Sequence, residues 1–264
     1  SEWPPFLMPI AENFCFIENA VYTSVLAGCK SIWIVCNDNI SPLLKRRLGD
    51  YVLTPKSPVE EEKNQYVVPS KAHKRVPIFY TPVGFDYSYR DSVAWSILYG
   101  ARQAYRVSSR VSQFLKPERY FVFFPYSICS GEELYRTIKL AKPWKEMFFS
   151  HNGQTAIDNI NLPFVFNSYT LRAGLTLLLN RKDGYKKWGF SRNPSSVRLG
   201  SAKLSDVFFI PAEKPGKICA DKVPLSWYYD VTDWDAYCNF LGSPERKLVK
   251  EPIFGAMNNE LAEK

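Results

Sequence analysis

Apolar residues recur at helical spacing near the start of the chain: Phe14, Ile17, Val21 and Val25, with Phe16, Ala20 and Leu26 widening the stripe. That spacing predicts a helix with one buried face. Gly28 stands where a helix closes on a left-handed residue. Residues 31–36 (S-I-W-I-V-C) then form a continuous run of β-branched and aromatic residues. Such a run suits a strand covered on both faces. Helix, Gly-Cys turn and buried strand make half of a repeating α/β unit.

Further along, the same alternation continues. Pro4, Pro5 and Pro9 keep the first ten residues in a loop. Ser41-Pro42 opens a short basic helix ending at Gly49, and Tyr51–Leu53 reads as a short strand. Residues 55–75 are polar and Pro-containing, the pattern of a mobile loop. Val76–Val83 reads as a strand whose prolines suit a sheet edge. Asp91-Ser92 caps a helix through Trp95, Leu98, Gln103 and Tyr105. Arg119–Ser127 reads as one buried strand, Gly131–Leu140 as a helix and Met147–Ser150 as a strand. A His151-Asn152-Gly153 turn follows, then a strand over Leu162–Asn167. A helix over Ser168–Asn180 turns Leu171, Leu175, Leu178 and Leu179 inward. Residues 181–203 have the composition of a surface segment. Val207–Ile210 and Trp227–Val231 read as strands. Asp233 caps a last helix that stops at Gly242, before a polar, Pro-broken tail over 243–264.

Strands alternating with helices predict a single α/β domain over 1–264, built on a mostly parallel, Rossmann-like sheet with helices on both faces. Ligands of such sheets sit at the carboxyl ends of the strands. Those ends are Asn37-Asp38, Thr81–Gly84, Pro125–Ser127 and the neighbourhood of Asp230.

Composition narrows the chemistry. The 264 residues carry two histidines, His73 and His151, which excludes a mechanism built on several imidazoles. The six cysteines are scattered, without a C-x-x-C pair, so zinc is not expected and free thiols in a reducing compartment are. A cytoplasmic protein is the corresponding expectation. No apolar run approaches the roughly 20 residues that cross a bilayer, and no secretory signal opens the sequence. The chain opens on Ser1, so residues in front of it are to be expected. A formal net charge of +8 favours anionic partners such as nucleotides or sugar phosphates. No nucleic-acid-binding motif accompanies that charge.

Three segments resemble the sugar-phosphate nucleotidyltransferases. F-L-M-P-I at 6–10, with the helix and A-G-C-K-S-I-W-I-V-C-N at 27–37, resembles the family's K-P-L-L-P-V, helix and A-G-x-x-x-I-x-I-V. D-S-V-A-W-S-I-L-Y-G-A followed by R-Y-F-V-F-F-P-Y-S resembles the helix after the nucleobase loop and the strand that ends in N-G-D. W-Y-Y-D-V-T-D-W-D-A-Y-C-N-F-L-G-S at 227–243 is similar to W-x-D-I-x-T-x-x-D-Y. The chain departs from the family in three places. The Gly-rich G-G-x-G-T-R would precede Ser1, Pro5 aligns with the signature Lys, and Pro125-Tyr126-Ser127 replaces the metal-binding strand end.

The resemblance implies a GT-A-like nucleotidyltransferase scaffold. It implies attack of a sugar-1-phosphate on the α-phosphorus of a nucleoside triphosphate, with loss of pyrophosphate and with Mg²⁺. Asp230 is the metal-ligand candidate, with Asp86 or Asp91 as a second carboxylate. Lys145, Lys186, Lys187 and Arg192 are the cations for phosphates. Asn152 and Asn193 are candidates for sugar hydroxyls, and Tyr126 for stacking. Each has a plainer reading: Asp230 a turn carboxylate, the cations solvated surface charges, Asn152-Gly153 a turn.

Two alternatives stand beside the enzyme. One is a nucleotidyltransferase-like scaffold retained for binding without catalysis. The other is a GT-A glycosyltransferase, which would want a D-x-D at a strand end. Here Asn37-Asp38-Asn39 has the wrong residues and Asp233-Trp234-Asp235 lies at a helix start.

Overall fold

A computed structural model describes residues 4–54, 75–83, 92–142, 144–158, 160–179, 204–208 and 220–249. Two short strands, β1 (Pro9–Ala11) and β2 (Phe14–Cys15), pair antiparallel and lead into α1 (Phe16–Leu26). The chain is therefore still extended at Phe14, where the apolar stripe begins, and the helix opens two residues later at Phe16. The reason is a capping box at Cys15: its thiol accepts from the Glu18 N–H, and its own N–H donates to the Glu18 carboxylate at 2.8 Å. Every residue of α1 from Phe16 to Val25 is buried, so the helix is central and covered all round rather than along one stripe.

β3 (Ile32–Asn37), α2 (Ser41–Leu48), β4 (Tyr51–Leu53) and β5 (Arg75–Val83) follow. They make a three-stranded sheet in the order β3-β5-β4, with β3 parallel and β4 antiparallel to β5. β5 is thus the middle strand, against the edge position its prolines suggested. Both prolines are in register with a neighbour, Pro77 opposite Tyr51 and Pro82 opposite Cys36, but each ring nitrogen is on the side where no described strand is paired at that point. The Ile78 N–H points to β4 by its bond to Asp50, so by alternation Pro77 faces β3 and Pro82 faces β4. β3 begins its pairing at Ile78 and β4 pairs only with 75–77.

α3 (Val93–Val111) is capped by Ser92, whose hydroxyl accepts from the Trp95 N–H at 3.1 Å. The segment expected as one strand over Arg119–Ser127 is two, β6 (Arg119–Val122) and β7 (Ser127–Cys129). A turn closed by the Ser127 N–H on the Phe124 carbonyl, with Pro125 inside it, separates them and sends β7 to another sheet. α4 (Gly131–Leu140), β8 (Met147–Ser150), β9 (Phe164–Asn167) and α5 (Ser168–Leu179) agree with the sequence reading to within two residues. In α5, Leu171 is buried and Leu175 half-buried; the side chains of Leu178 and Leu179 lie outside the described residues. Leu204–Val207 is a helical turn, α6, where the apolar run suggested a strand from Val207. β10 (Asp221–Pro224), β11 (Tyr228–Asp230) and α7 (Trp234–Leu241) complete the elements. Residues 244–248 of the expected tail form a 3-10 turn. Arg246 there donates to the Ile10 carbonyl, tying the turn to β1.

The second sheet has the order β10-β8-β9-β6, with β10 and β8 parallel and the other neighbours antiparallel. β7 and β11 form a separate antiparallel pair. The class is α/β, and the described sheets are small and mixed. Side-chain alternation gives the second sheet two apolar faces. Phe148, Phe164 and Phe166 pack with Ala94, Trp95 and Leu98 of α3. Met147, Phe149 and Val165 pack with Leu134 of α4. Complete burial of each such side chain stabilises the fold by about 1.5–3 kcal/mol. Gly100 lets α3 settle on β3: a Cβ there would stand 2.6 Å from Val35 Cγ2. Among the described residues no helix is long and apolar enough to cross a membrane.

Candidate functional site

The β7–β11 pair brings two of the sequence candidates together. Its register sets Ser127 opposite Asp230, Ile128 opposite Tyr229 and Cys129 opposite Tyr228. The Val231 N–H extends the ladder to the Tyr126 carbonyl at 3.0 Å. Residues far apart in sequence, Tyr126 and Asp230, thereby share one strand pair. α7 begins four residues beyond Asp230, capped by Asp233, which accepts from the Ala236 N–H at 2.7 Å.

Asn161 is clamped at the centre of this cluster. The Asp230 carboxylate accepts from its backbone N–H at 3.2 Å and from its side-chain amide at 3.1 and 3.3 Å. The Ser127 hydroxyl donates to its carbonyl. Tyr228 lies against Ser127 and Asp230 with its hydroxyl buried but without a well-formed hydrogen bond among the described residues. Burial first, and then the charge of Asp230, push the pKa of that hydroxyl up. The His151 ring sits 5.8 Å from the Tyr228 ring, centroid to centroid, so the carboxyl end of β8 borders the same cluster.

The other candidates divide. Asn152 and Gly153 have φ values of 50° and 78° and close the turn bridged by His151 and Gln154. Positive φ at both central positions is the geometry that Asn-Gly supplies best. The Asn152 side chain is exposed beside the cluster. Tyr126 is half-buried against the apolar group of Ile10, Phe14, Phe16 and Ile128, and burial pushes its pKa up. Lys145 stands at the opposite end of β8 from His151 and is ion-paired with Asp221 at 2.5 Å. It is therefore separated from Asp230 by the length of that strand. Lys186, Lys187, Arg192, Asn193, Asp86 and Asp91 lie outside the described residues.

Sequence reasoning passed over Asn161 and Tyr228. Asn161 sits in N-I-N-L-P, whose only signal is a polar residue ahead of a proline. Tyr228 was read as one aromatic of a short strand. Among the described residues, no group of three or more His, Cys, Asp or Glu side chains is arranged to hold one metal ion. Of the described cysteines, Cys15, Cys29, Cys36, Cys129 and Cys238 are free thiols.

No family model matches the chain, and comparison with curated proteins finds no match.

Proposed function

We propose that the protein is a divergent sugar-phosphate nucleotidyltransferase, on a GT-A-like scaffold in which a mostly parallel, Rossmann-like layer is covered on both faces. One observation carries the reading: the three segments that resemble the family converge. Ile10 of the first, Tyr126 at the end of the second, and Val231, Tyr237 and Phe240 of the third belong to one apolar group, together with Phe16 and Ile128. Asp230 stands at its border, opposite Ser127. Segments more than 200 residues apart in sequence thus meet near the carboxyl end of β11.

In this reading the ligands are a nucleoside triphosphate or nucleotide-sugar and a sugar phosphate, and the +8 charge assists their approach. The sugar-1-phosphate oxygen bonds to the α-phosphorus, the bond from that phosphorus to the bridging oxygen breaks, and pyrophosphate departs. Tyr126 would offer a ring face and Asn152 an amide to the sugar or base, with Lys187 and Arg192 as cations for the phosphates. Asp230 is the residue that would hold Mg²⁺. Among the described residues its Oδ1 takes one hydrogen bond, at 3.1 Å, which leaves a lone pair for an ion that arrives on the phosphates. One carboxylate together with ligand phosphates is a usual Mg²⁺ environment. The ion would supply charge neutralisation.

A second reading, binding without transfer, draws on a different observation. Asp230 is already engaged by Asn161, and Lys145 is neutralised by Asp221. Thermal-shift and calorimetric titration with nucleoside triphosphates and nucleotide-sugars, with and without Mg²⁺, tests both. A ligand at 100 times its Kd stabilises by about 2.7 kcal/mol. Mg²⁺-dependent stabilisation that Asp230→Asn abolishes supports the enzyme. Stabilisation indifferent to Mg²⁺ and to that substitution supports binding alone. No response to any nucleotide removes both.

A further inference from the structure

The amino ends of β6, β8 and β10 and the carboxyl end of β9 lie at one pole of the second sheet. Hydrogen bonds tie the neighbouring elements together there. The Arg119 guanidinium donates to the Ile138 and Ala141 carbonyls at the end of α4, at 3.2 and 3.4 Å. The Ser168 N–H, at the start of α5, donates to the Glu118 carbonyl at 3.2 Å. The Asn167 amide donates to the Trp144 carbonyl at 3.0 Å. α3 ends at Val111 and leads through a 3-10 turn over Gln113–Leu115 into Arg119. The ends of α3 and α4, the approach to β8 and the start of α5 therefore meet around Glu118 and Asn167.

Exposed apolar side chains crowd this pole. Of the nine large apolar or aromatic side chains that are more than half exposed among the described residues, six are here: Val111, Phe114, Leu115, Leu140, Trp144 and Tyr169. Phe114 is 89% exposed and Leu140 85%, so both stand out from the surface rather than line a groove. Scattered single exposures are ordinary, whereas a gathering of this kind marks a surface that meets something. Cations are set among the apolar tips. Arg110, Lys116, Lys139, Lys142 and Arg172 are exposed, and Lys142 Nζ lies 5.6 Å from the centre of the Trp144 ring. Of the acidic side chains beside them, Glu118 is exposed and Asp221 is paired with Lys145 at 2.5 Å. The pole is at once apolar and positively charged.

We propose that this pole docks on a membrane surface containing anionic phospholipid. Phe114, Leu115 and Leu140 enter the boundary of the hydrocarbon, Trp144 and Tyr169 sit at headgroup level, and the cations meet lipid phosphates. Shape and charge select this occupant. Protruding side chains on four separate elements enter a fluid bilayer without a matching pocket, which a folded partner would have to supply. A second copy would bring like charge against like. A single-stranded nucleic acid would use the cations and the rings, but offers nothing to Val111, Leu115 and Leu140. No helix among the described residues is long and apolar enough to cross a membrane, and docking of this kind needs none. The cluster around Asp230 borders the other end of β8. Docking leaves that cluster turned away from the lipid and does not depend on what it binds.

Vesicle flotation tests it, with phosphatidylcholine vesicles alone or with about one third phosphatidylserine. The protein should partition roughly tenfold or more strongly onto the mixed vesicles, and rising salt should release it. Two double variants separate the contributions: Phe114→Ser with Leu140→Ser, and Lys116→Glu with Lys142→Glu. Both change exposed side chains, so each should keep the wild-type Tm and each should lower partition roughly tenfold or more. Tryptophan fluorescence should shift to the blue on the mixed vesicles, and Trp144→Phe should shrink that shift. Binding to neither kind of vesicle overturns the proposal. So does binding that either folded double variant retains in full. Capture of a single-stranded oligonucleotide in place of vesicles, or dimerisation that Phe114→Ser with Leu140→Ser abolishes, gives the pole another occupant and overturns it as well.

Discussion

Asp230→Ala separates two roles for this carboxylate. As a latch, Asp230 accepts three hydrogen bonds from Asn161, at 3.1, 3.2 and 3.3 Å. A hydrogen bond to a charged group contributes about 1.5–3 kcal/mol. The three bonds run to one residue and do not add, and Asp230 is half-buried, so water can reach part of what is left. The expected loss is about 2 kcal/mol. For a chain of this size that lowers Tm by roughly 4–8 °C. Asp230→Asn keeps an acceptor for the Asn161 N–H and should lose about half as much. Asn161→Ala removes the amide but leaves the backbone donor, so a double-mutant cycle isolates the side-chain contact, at about 1 kcal/mol of coupling. Urea unfolding at pH 7 without ligand or metal reads all five proteins, wild type and the double mutant included. If Asp230→Ala stays within about 0.5 kcal/mol of wild type, the latch contributes nothing and Asp230 is held in place for a ligand alone.

Four further outcomes follow from packing, ionisation and exposure. Arg47 holds the buried Glu18 carboxylate with Nε and a terminal nitrogen at 2.8 and 2.9 Å. Arg47→Met strands that charge and should cost about 2–3 kcal/mol in urea unfolding, the lower end because Arg47 is itself partly exposed; a neutral result would mean that solvent reaches Glu18. Gly100→Ala forces a Cβ onto Val35, and about 1–3 kcal/mol of overpacking outweighs the roughly 1 kcal/mol gained in helix propensity. Calorimetry should show a lowered Tm; a rise would mean that β3 yields freely. Burial pushes the Cys15 thiol up from 9.0 to about 11, with the Glu18 charge adding to it. The folded state therefore holds this proton more tightly than the unfolded one. Its stabilisation is complete below pH 9 and is lost as pH rises toward 11. In Cys15→Ser, which keeps a capping oxygen and does not titrate there, the fall in unfolding free energy over that window should be shallower than in wild type. In native protein a thiol reagent should modify the exposed Cys238 well ahead of the buried Cys15 and Cys129.

Much of the chain was legible because its helices carry local signals. The Ser92 and Asp233 caps, Gly49 and the Asn152-Gly153 turn are each decided by neighbours within four residues. The α3 and α4 spans follow from such signals. What escaped depends on distant partners. β5 could be identified as a strand, but its central place depends on where two prolines fall against β3 and β4. The run R-Y-F-V-F-F-P-Y-S has uniform apolar character, and only the turn at Phe124–Ser127 divides it between two sheets. Val207 reads as a strand residue by propensity but ends a helical turn because it packs against Leu98 and Gly174. At the site, Asp230 was legible as a carboxylate after an aromatic strand. Its hold on Asn161, 69 positions earlier, was not. Lys145 read as a free cation until the fold set Asp221 beside it.

The most direct test of the central claim is a ³¹P-NMR assay of the protein with Mg²⁺, each nucleoside triphosphate and a panel of sugar-1-phosphates. The account predicts that one pair yields pyrophosphate and a nucleotide-sugar in equal amounts, and that Asp230→Asn reduces the rate by more than it reduces triphosphate binding. If no pair yields pyrophosphate while a nucleotide or nucleotide-sugar still binds, nucleotidyl transfer is excluded and the scaffold serves to bind its ligand.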